Sequence, residues 1–491
     1  MFKKYSKGII AMCLALALAG CGKGESYTVA DYEVNPNEEA SASAEISSEA
    51  ETSSDSVSGA DSTGELQSEG DLSKKLGNLS HDWAASFSTN GITVNLNAHS
   101  EIQDSNALPV YRVSEMNESS FNEEEIVKNV FGDSAQEIKR DLDKNDGDSA
   151  LLVEQIQHLY FGFHPEEVEG LSYEEQVAKN TVPGWIEEDG YYIHTYEGTY
   201  QDIEYELFLG YEQQYHSAYI ALFPKNLGDY FHNQDIDTAA SYWVGSDLAE
   251  QGQVKEFLSL NRMQESDVDD RISEAESILR DKLNMKIPDN YLRAGMDDSG
   301  YDKMYTFYFN QKALNDAGYK NIFNVENIYD LMDAFNKMGE NTYMLDGFDS
   351  LPTYSLGGQE IFIDPRGGSA GGKTVAVYSN GEVYLTSEGV MGLWQVYNSQ
   401  YEEMMSDNVP ILNYDSITKA LEDDLTESLT AAEFKSDTLN LSEARMVYYP
   451  VPSPDVNGEM TLVPAWEFVN TNYDVFVFIN AMDGSLIDVI H

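Results

Sequence analysis

Eight consecutive residues, Gly367-Gly368-Ser369-Ala370-Gly371-Gly372-Lys373-Thr374, satisfy two chemical patterns at once. As G-x-x-x-x-G-K-T they would cradle a phosphate on backbone amides, and as G-x-S-x-G they would present Ser369 as a nucleophile. Each chemistry needs a helix directly after the loop, whose N-terminus binds the phosphate or positions the hydroxyl. The continuation, Val375-Ala376-Val377-Tyr378-Ser379-Asn380-Gly381, is instead strand-like and ends on a turn signal. A serine nucleophile would also want a general base, and the terminal His491 alone follows it among histidines. The segment therefore reads as a flexible Gly-rich hairpin loop, and no nucleotide is expected.

Metal chemistry has two candidates. Asp141-Leu142-Asp143-Lys144-Asn145-Asp146-Gly147-Asp148 approaches a calcium loop. Its glycine falls at the seventh position, where the turn needs the sixth, and position twelve is Leu152 rather than a bidentate Glu. It reads as a solvated acidic turn. Histidines His158, His164, His194, His216 and His232 share one region without H-E-x-x-H or another close ligand spacing. His194 lies on a Tyr-rich strand and reads as packed or hydrogen-bonded. No metal, no cofactor and no catalytic residue is assigned. The 32 Tyr and five Trp could line a glycan- or peptide-binding groove. Tyr301, Tyr305 and Tyr308, however, sit in strand-like context, where aromatics serve cross-strand packing.

The N-terminus carries the clearest chemistry. Lys3, Lys4 and Lys7 precede an apolar run from Gly8 to Leu18, too short to stay in a bilayer as a span. It ends in Leu18-Ala19-Gly20-Cys21, which resembles a bacterial lipobox. That resemblance implies that Leu18, Ala19 and Gly20 are read by a lipoprotein signal peptidase and that Cys21 carries the lipid. The expected location is the cell membrane, lipid-anchored, on its extracytoplasmic side. Cys13 leaves with the signal, so no disulfide framework or thiolate metal site remains.

The chain has 491 residues, about three domains' worth at roughly 150 residues each. Lys plus Arg number 29 against 86 Asp plus Glu, and a formal charge of -57 repels phosphate backbones, which excludes nucleic acid as a partner. Residues 1–20 read as the signal peptide and 21–78 as a disordered Ser- and Glu-rich tether, without hydrophobic period and extended by self-repulsion. The low-complexity stretch from residue 22 to about 72, some fifty residues, would reach roughly 40 Å as a flexible coil.

An Asn90-Gly91 turn predicts a first hairpin. Ser120-Phe121-Asn122-Glu123 has capping-box spacing before a helix with Ile126, Val127, Val130 and Phe131 on one face and Gly132 as its stop. At least three antiparallel strands are expected between Tyr191 and Phe223. Ser266 is expected to cap a helix with Val268, Ile272, Ala275, Leu279 and Leu283 on its apolar face, and Asn380-Gly381 to turn a later hairpin. Ile417, Leu421, Leu425 and Leu429 mark a last helix before strands around residues 446–451, 462–469 and 475–479, with Asn457-Gly458 and Asp483-Gly484 at turns. This is an α+β pattern of antiparallel sheets packed by helices. The expected units are residues 79–245, 246–400 and 401–491.

Leu462-Val463-Pro464-Ala465-Trp466-Glu467-Phe468, followed by Phe478-Ile479-Asn480-Ala481-Met482-Asp483-Gly484-Ser485-Leu486-Ile487, resembles the closing strands of PepSY-type domains and of related extracytoplasmic regulators of cell-wall-sensing kinases. The resemblance covers residues 410–490 and rests on hairpin and core residues. It implies a helix on a small antiparallel sheet and a regulatory or inhibitory role towards a protein. The layout from lipobox to PepSY-like end is similar to an uncharacterised lipoprotein family of clostridial-type bacteria, which implies no catalytic residues.

The function expected from sequence is a non-catalytic binding or regulatory module for an envelope protein or peptide. The alternatives are a carboxylate-dependent extracellular hydrolase, which would need two carboxyls facing across an aromatic cleft, and a solute- or glycan-binding lipoprotein.

Overall fold

The Asn90–Gly91 turn closes the first hairpin, pairing Ser80–Thr89 with Ile92–Glu101 from Thr89↔Ile92 to Ser80↔Glu101. Both turn residues have positive φ, 48° and 87°, which matches the turn to the right-handed twist of the strands. The computed structural model describes residues 71–490 apart from 173–174, 177, 245–250, 259–264, 295–302, 320–327, 339–346, 353–354, 357–358, 363–378, 429–435 and 454–458. The expected signal peptide, residues 21–70 of the expected tether, the Gly367–Thr374 segment, Tyr301, Leu429 and the Asn457-Gly458 turn lie outside the described residues. The last tether residues are ordered, since Leu72–Leu76 is a helix whose Leu72 and Leu76 are buried against the strands that follow.

Two large sheets carry the fold. One sets Ser80–Thr89, Ile92–Glu101, Thr438–Pro452, Glu459–Asn470, Phe476–Asn480 and Leu486–Ile490 side by side, with Val110–Glu115 joining Glu459–Asn470 to Ser399–Ser406. The other runs Thr238–Val244, Lys303–Phe309, Gly347–Pro352, Ser379–Thr386, Gly389–Tyr397, Ser217–Pro224, Ile203–Glu212, Tyr191–Tyr200 and Gln136–Glu137, and Trp185–Glu188 also pairs with Tyr191–Tyr200. Most pairings are antiparallel, so the class is α+β. Two parallel contacts were not expected: Ile92–Glu101 and Gln359–Ile361 both lie along Thr438–Pro452.

Strand pairing crosses the expected boundaries at residues 245 and 400. The first three strands belong with the C-terminal ones, and the second sheet is built from residues between them. The reason is a shared apolar face. Ile92, Val94 and Leu96 pack in one core with Trp83, Ile417, Leu421, Leu425, Trp466 and Phe468, beneath the helix Tyr414–Ser428. A second core holds Ile126, Ile156, Leu207, Leu209, Leu222, Leu279 and Leu393.

Local signals were displaced in three places. The helix Glu123–Phe131 is capped by Asn122, which accepts the Glu125 N–H at 3.3 Å, while Ser120 closes the preceding turn onto Asn117; Gly132 stops the helix as expected. Ser266 lies inside the helix Glu265–Ser277 rather than before it. The next turn widens into a π-helix, Ile278–Lys282, with Leu283 N–H reaching Ile278 O at 3.1 Å, and Ala275, Leu279 and Leu283 are buried. Asn380-Gly381 makes no hairpin turn, because both residues are paired within Ser379–Thr386 and the chain reverses beyond Thr386. Glycine is needed there for close approach: a Cβ on Gly381 would stand 2.3 Å from Trp394 O. Among the described residues no helix is long and apolar enough to cross a membrane.

Candidate functional site

Trp185–Glu188 and Tyr191–Tyr200 form a hairpin in which Trp185 opposes His194 and Glu188 opposes Tyr191. Side chains alternate across a strand. Trp185, Glu187, Tyr192, His194 and Tyr196 therefore share one face, and Ile186, Glu188, Tyr191 and Ile193 the other. Each face builds a carboxylate–imidazole–phenol cluster.

On the first face the His194 ring lies between Trp185, 3.9 Å away and tilted 16°, and Tyr192, 4.6 Å away and tilted 26°. A carboxylate only accepts, so His194 Nδ1–H donates to Glu123 Oε1 at 2.8 Å, and Tyr196 Oη donates to the same oxygen at 2.5 Å. Lys139 Nζ sits 4.5 Å above the Trp185 ring. Burial, then the Glu123 charge, pushes the Tyr196 phenol well above its ordinary range. His194 is thus packed and hydrogen-bonded.

The second face opens into a depression. Phe163, the last residue of the helix Ala150–Phe163, stacks on Tyr191 at 4.3 Å and 17°. Glu166 accepts from His164 Nδ1 at 3.1 Å, which leaves His164 Nε2 to accept the Tyr191 hydroxyl at 2.5 Å. Burial, then Glu188, raises the Tyr191 phenol. Across the sheet from Tyr191 stands Glu212, 6% exposed, accepting from Tyr219 Oη at 3.2 Å. Burial lifts the Glu212 carboxyl to about 7, Tyr219 opposing. Phe163, Tyr191 and Glu212 line a cavity of about 370 Å³ together with Asp189, Gly190, Gln213 and Gln214.

The acidic loop at residues 141–148 is internally committed. Arg140 grips Asp148 bidentately at 2.6 Å through each nitrogen, and Asp143 N–H donates to Asp148 at 2.7 Å. Burial opposes ionisation of Asp148, but Arg140 outweighs it and the carboxyl lies below its usual range. Beside it, Glu206 is fully buried and accepts the Ser149 N–H at 2.9 Å. Burial, with the Asp148 charge adding, raises Glu206 to about 8. The carboxylate a calcium ion would need is spent on the guanidinium.

The five histidines do not converge. His158 and His232 are exposed, His164 and His194 serve opposite faces of one hairpin, and His216 stands 4.0 Å from Glu115. Among the described residues no group of three or more His, Cys, Asp or Glu is arranged to hold a metal. Tyr308 is buried in the core, in keeping with its packing role. A further pair of raised carboxyls lies on the second sheet and its helix. Glu382 accepts from Tyr384 Oη at 2.8 Å and Trp394 Nε1 at 3.3 Å and is raised by burial; Glu154 is raised by burial with the Glu382 charge adding.

No family model and no curated protein matches this chain. Two solved structures are similar at low level. An uncharacterized protein from Eubacterium rectale is 12% identical over 80% of this chain and 90% of its own, with a TM-score of 0.29. The Bacillus megaterium YpeB C-terminal domain is 9% identical over 61% and 88%, with a TM-score of 0.16. Scores this low carry no argument, and the α+β class rests on the chain's own strands.

Leu18, Ala19, Gly20 and Cys21 lie outside the described residues. Phe163, Tyr191 and Glu212 were missed in the sequence. One signal could have placed Tyr191: Asp189-Gly190 between strand-like runs is a two-residue hairpin turn, which fixes Glu188 opposite Tyr191 and hence the two faces.

Proposed function

We propose that the chain is a lipoprotein anchored through Cys21 on the extracytoplasmic side of the membrane, where it acts as a non-catalytic binding or regulatory module for an envelope protein or peptide. The observation that carries this reading is the cavity at Tyr191 and Glu212, which sets a stacked aromatic wall beside a buried carboxyl. Concave sites that set aromatic rings beside placed polar groups recognise ligands. Phenols whose acidity is suppressed, as at Tyr191 and Tyr196, are the reverse of activated nucleophiles. A helix over an antiparallel sheet, Tyr414–Ser428 against residues 438–490, is in keeping with the PepSY-like resemblance and its regulatory role.

The test is affinity capture from cross-linked envelope with the full chain as bait, run beside Phe163→Ala and Tyr191→Ala. An envelope protein or peptide recovered by the parent and lost in both variants supports the reading. Equal recovery by all three overturns the cavity as the binding site. Turnover of cell-wall glycan abolished by Glu382→Gln would replace it with the hydrolase reading, for which the raised Glu154 and Glu382 carboxyls beside Trp394 speak.

A further inference from the structure

We infer that the cavity between Phe163, Tyr191 and Glu212 takes a cationic side chain, an arginine or lysine of the partner; this inference rests on the binding reading above. The cavity is lined by two aromatic rings, two carboxyls, two side-chain amides and a glycine, with no basic residue among them. Of the neighbouring imidazoles, His164 has both nitrogens committed, to Glu166 and to Tyr191 Oη, and His216, in the turn after Gln214, faces Glu115 at 4.0 Å. A ligand cation therefore meets no competing positive charge inside the cavity.

Three features converge on that charge. Phe163 and Tyr191 stack face to face, and a guanidinium or ammonium over the outer face of the pair gains cation–π attraction, more when desolvated. Glu212 is 6% exposed, and among the described residues its carboxylate has one phenolic donor, Tyr219, and no salt-bridge partner. A buried carboxylate left without a counter-charge is costly, so an incoming cation repays its ionisation. Asp189 stands at the rim of the same cavity, and the whole chain carries -57, so the field steers cations inward and turns anions away. A neutral glycan would stack equally well on the rings but would leave Glu212 uncompensated. The volume, about 370 Å³, suits one long side chain rather than a folded partner.

The charge on Glu212 also sets the expected pH response. Groups facing the site are Tyr191 and Tyr219 on the neighbouring strands, Tyr215, His216 with Glu115, and Asp189 in the adjoining turns, and, behind Tyr191, His164 with Glu166 and Glu188. Glu212 is half ionised near 7, so the ligand-competent fraction climbs about tenfold from pH 6 to pH 8.

The experiment is isothermal titration of the full chain in detergent at roughly 0.15 M salt, where long-range attraction between exposed charges is screened. The probes are acetyl-Ala-Arg-Ala-amide, its citrulline counterpart and chitotetraose. The arginine peptide should bind one site, about tenfold tighter at pH 8 than at pH 6. Citrulline, Glu212→Gln and Tyr191→Ala should each weaken binding at least tenfold, and Glu212→Gln should abolish the pH response. Gln213→Lys, at an exposed position on the rim, places a competing cation without disturbing the core and should block the peptide. Equal binding of arginine and citrulline peptides, or unchanged arginine binding in Glu212→Gln and Gln213→Lys, overturns the inference. Chitotetraose binding that Tyr191→Ala removes would overturn the cation and leave the cavity as a binding site. Failure of all three probes, with envelope capture unaffected by Tyr191→Ala, would sink both.

Discussion

Met116 donates its backbone N–H to the carbonyl of Asn398 over 2.7 Å, at the place where the chain leaves one sheet for the other and later returns. Immediately before and after, Glu115 pairs with Ser399. The Met116 side chain is fully buried there, with Gln400 Nε2 at 3.5 Å from its sulfur.

Truncating that side chain should loosen the junction. Met116→Ala removes buried thioether contacts and leaves Gln400 without this acceptor, which together should cost about 2–5 kcal/mol. Calorimetry should then resolve the two sheets as separate transitions. One cooperative transition at the parental temperature would show that other contacts hold the sheets together.

Glu206 should make the protein less stable as pH rises. A carboxyl raised in the folded state to about 8, from an ordinary 4.5, takes up a proton on folding anywhere in that window. Stability therefore falls as pH climbs from about 4.5 to 8 and levels off above it. Glu206→Gln keeps an acceptor for Ser149 N–H and presents an amide to Asp148, so it mimics the protonated state. Its gain should reach a few kcal/mol at pH 8 and vanish near pH 4.5. Urea unfolding at several pH values checks this, and parallel pH profiles for parent and variant would refute it.

Gly381→Ala should destabilise by about 2 kcal/mol or more, because its Cβ would stand 2.3 Å from a backbone oxygen that cannot swing aside. Gly252→Ala, at a helix start with nothing within 4 Å of the new atom, should be neutral or slightly stabilising. Thermal melts of the two variants side by side make the comparison.

On the proposed anchoring, in which the Cys21 sulfur carries the lipid, Cys21→Ala should release the protein from the membrane fraction and abolish incorporation of labelled lipid. Labelling that persists in the variant would remove the anchor.

What the sequence made legible was local. Asn90-Gly91 predicted its hairpin, Gly132 its helix stop, and the spacing of Ile417, Leu421 and Leu425 its buried stripe, because each is decided within a few residues. Thr93 pairing with Thr438 was invisible, since strand patterns declare a face but not a partner. Asn380-Gly381 misled for a related reason: a glycine required by a neighbouring strand looks the same in sequence as one required by a turn. At the candidate site, His194 was placed correctly on its Tyr-rich strand as a packed residue. The cavity was not seen, because Phe163, Tyr191 and Glu212 come from a helix end and two strands that only folding brings together.

The insertion of one sheet's sequence between the strands of another gives the protein a built-in order of assembly. Synthesis proceeds at about 5–20 residues per second, so Thr93 is made tens of seconds before its partner Thr438. During that interval the Ile92–Glu101 strand, with Ile92, Val94 and Leu96 destined for the interior, has its hairpin mate but not its parallel neighbour. The sheet spanning residues 136–397 can close in the meantime from strands already made. A chain that ends before residue 438 would therefore strand the first hairpin, leaving an unpaired apolar edge that invites association with other chains.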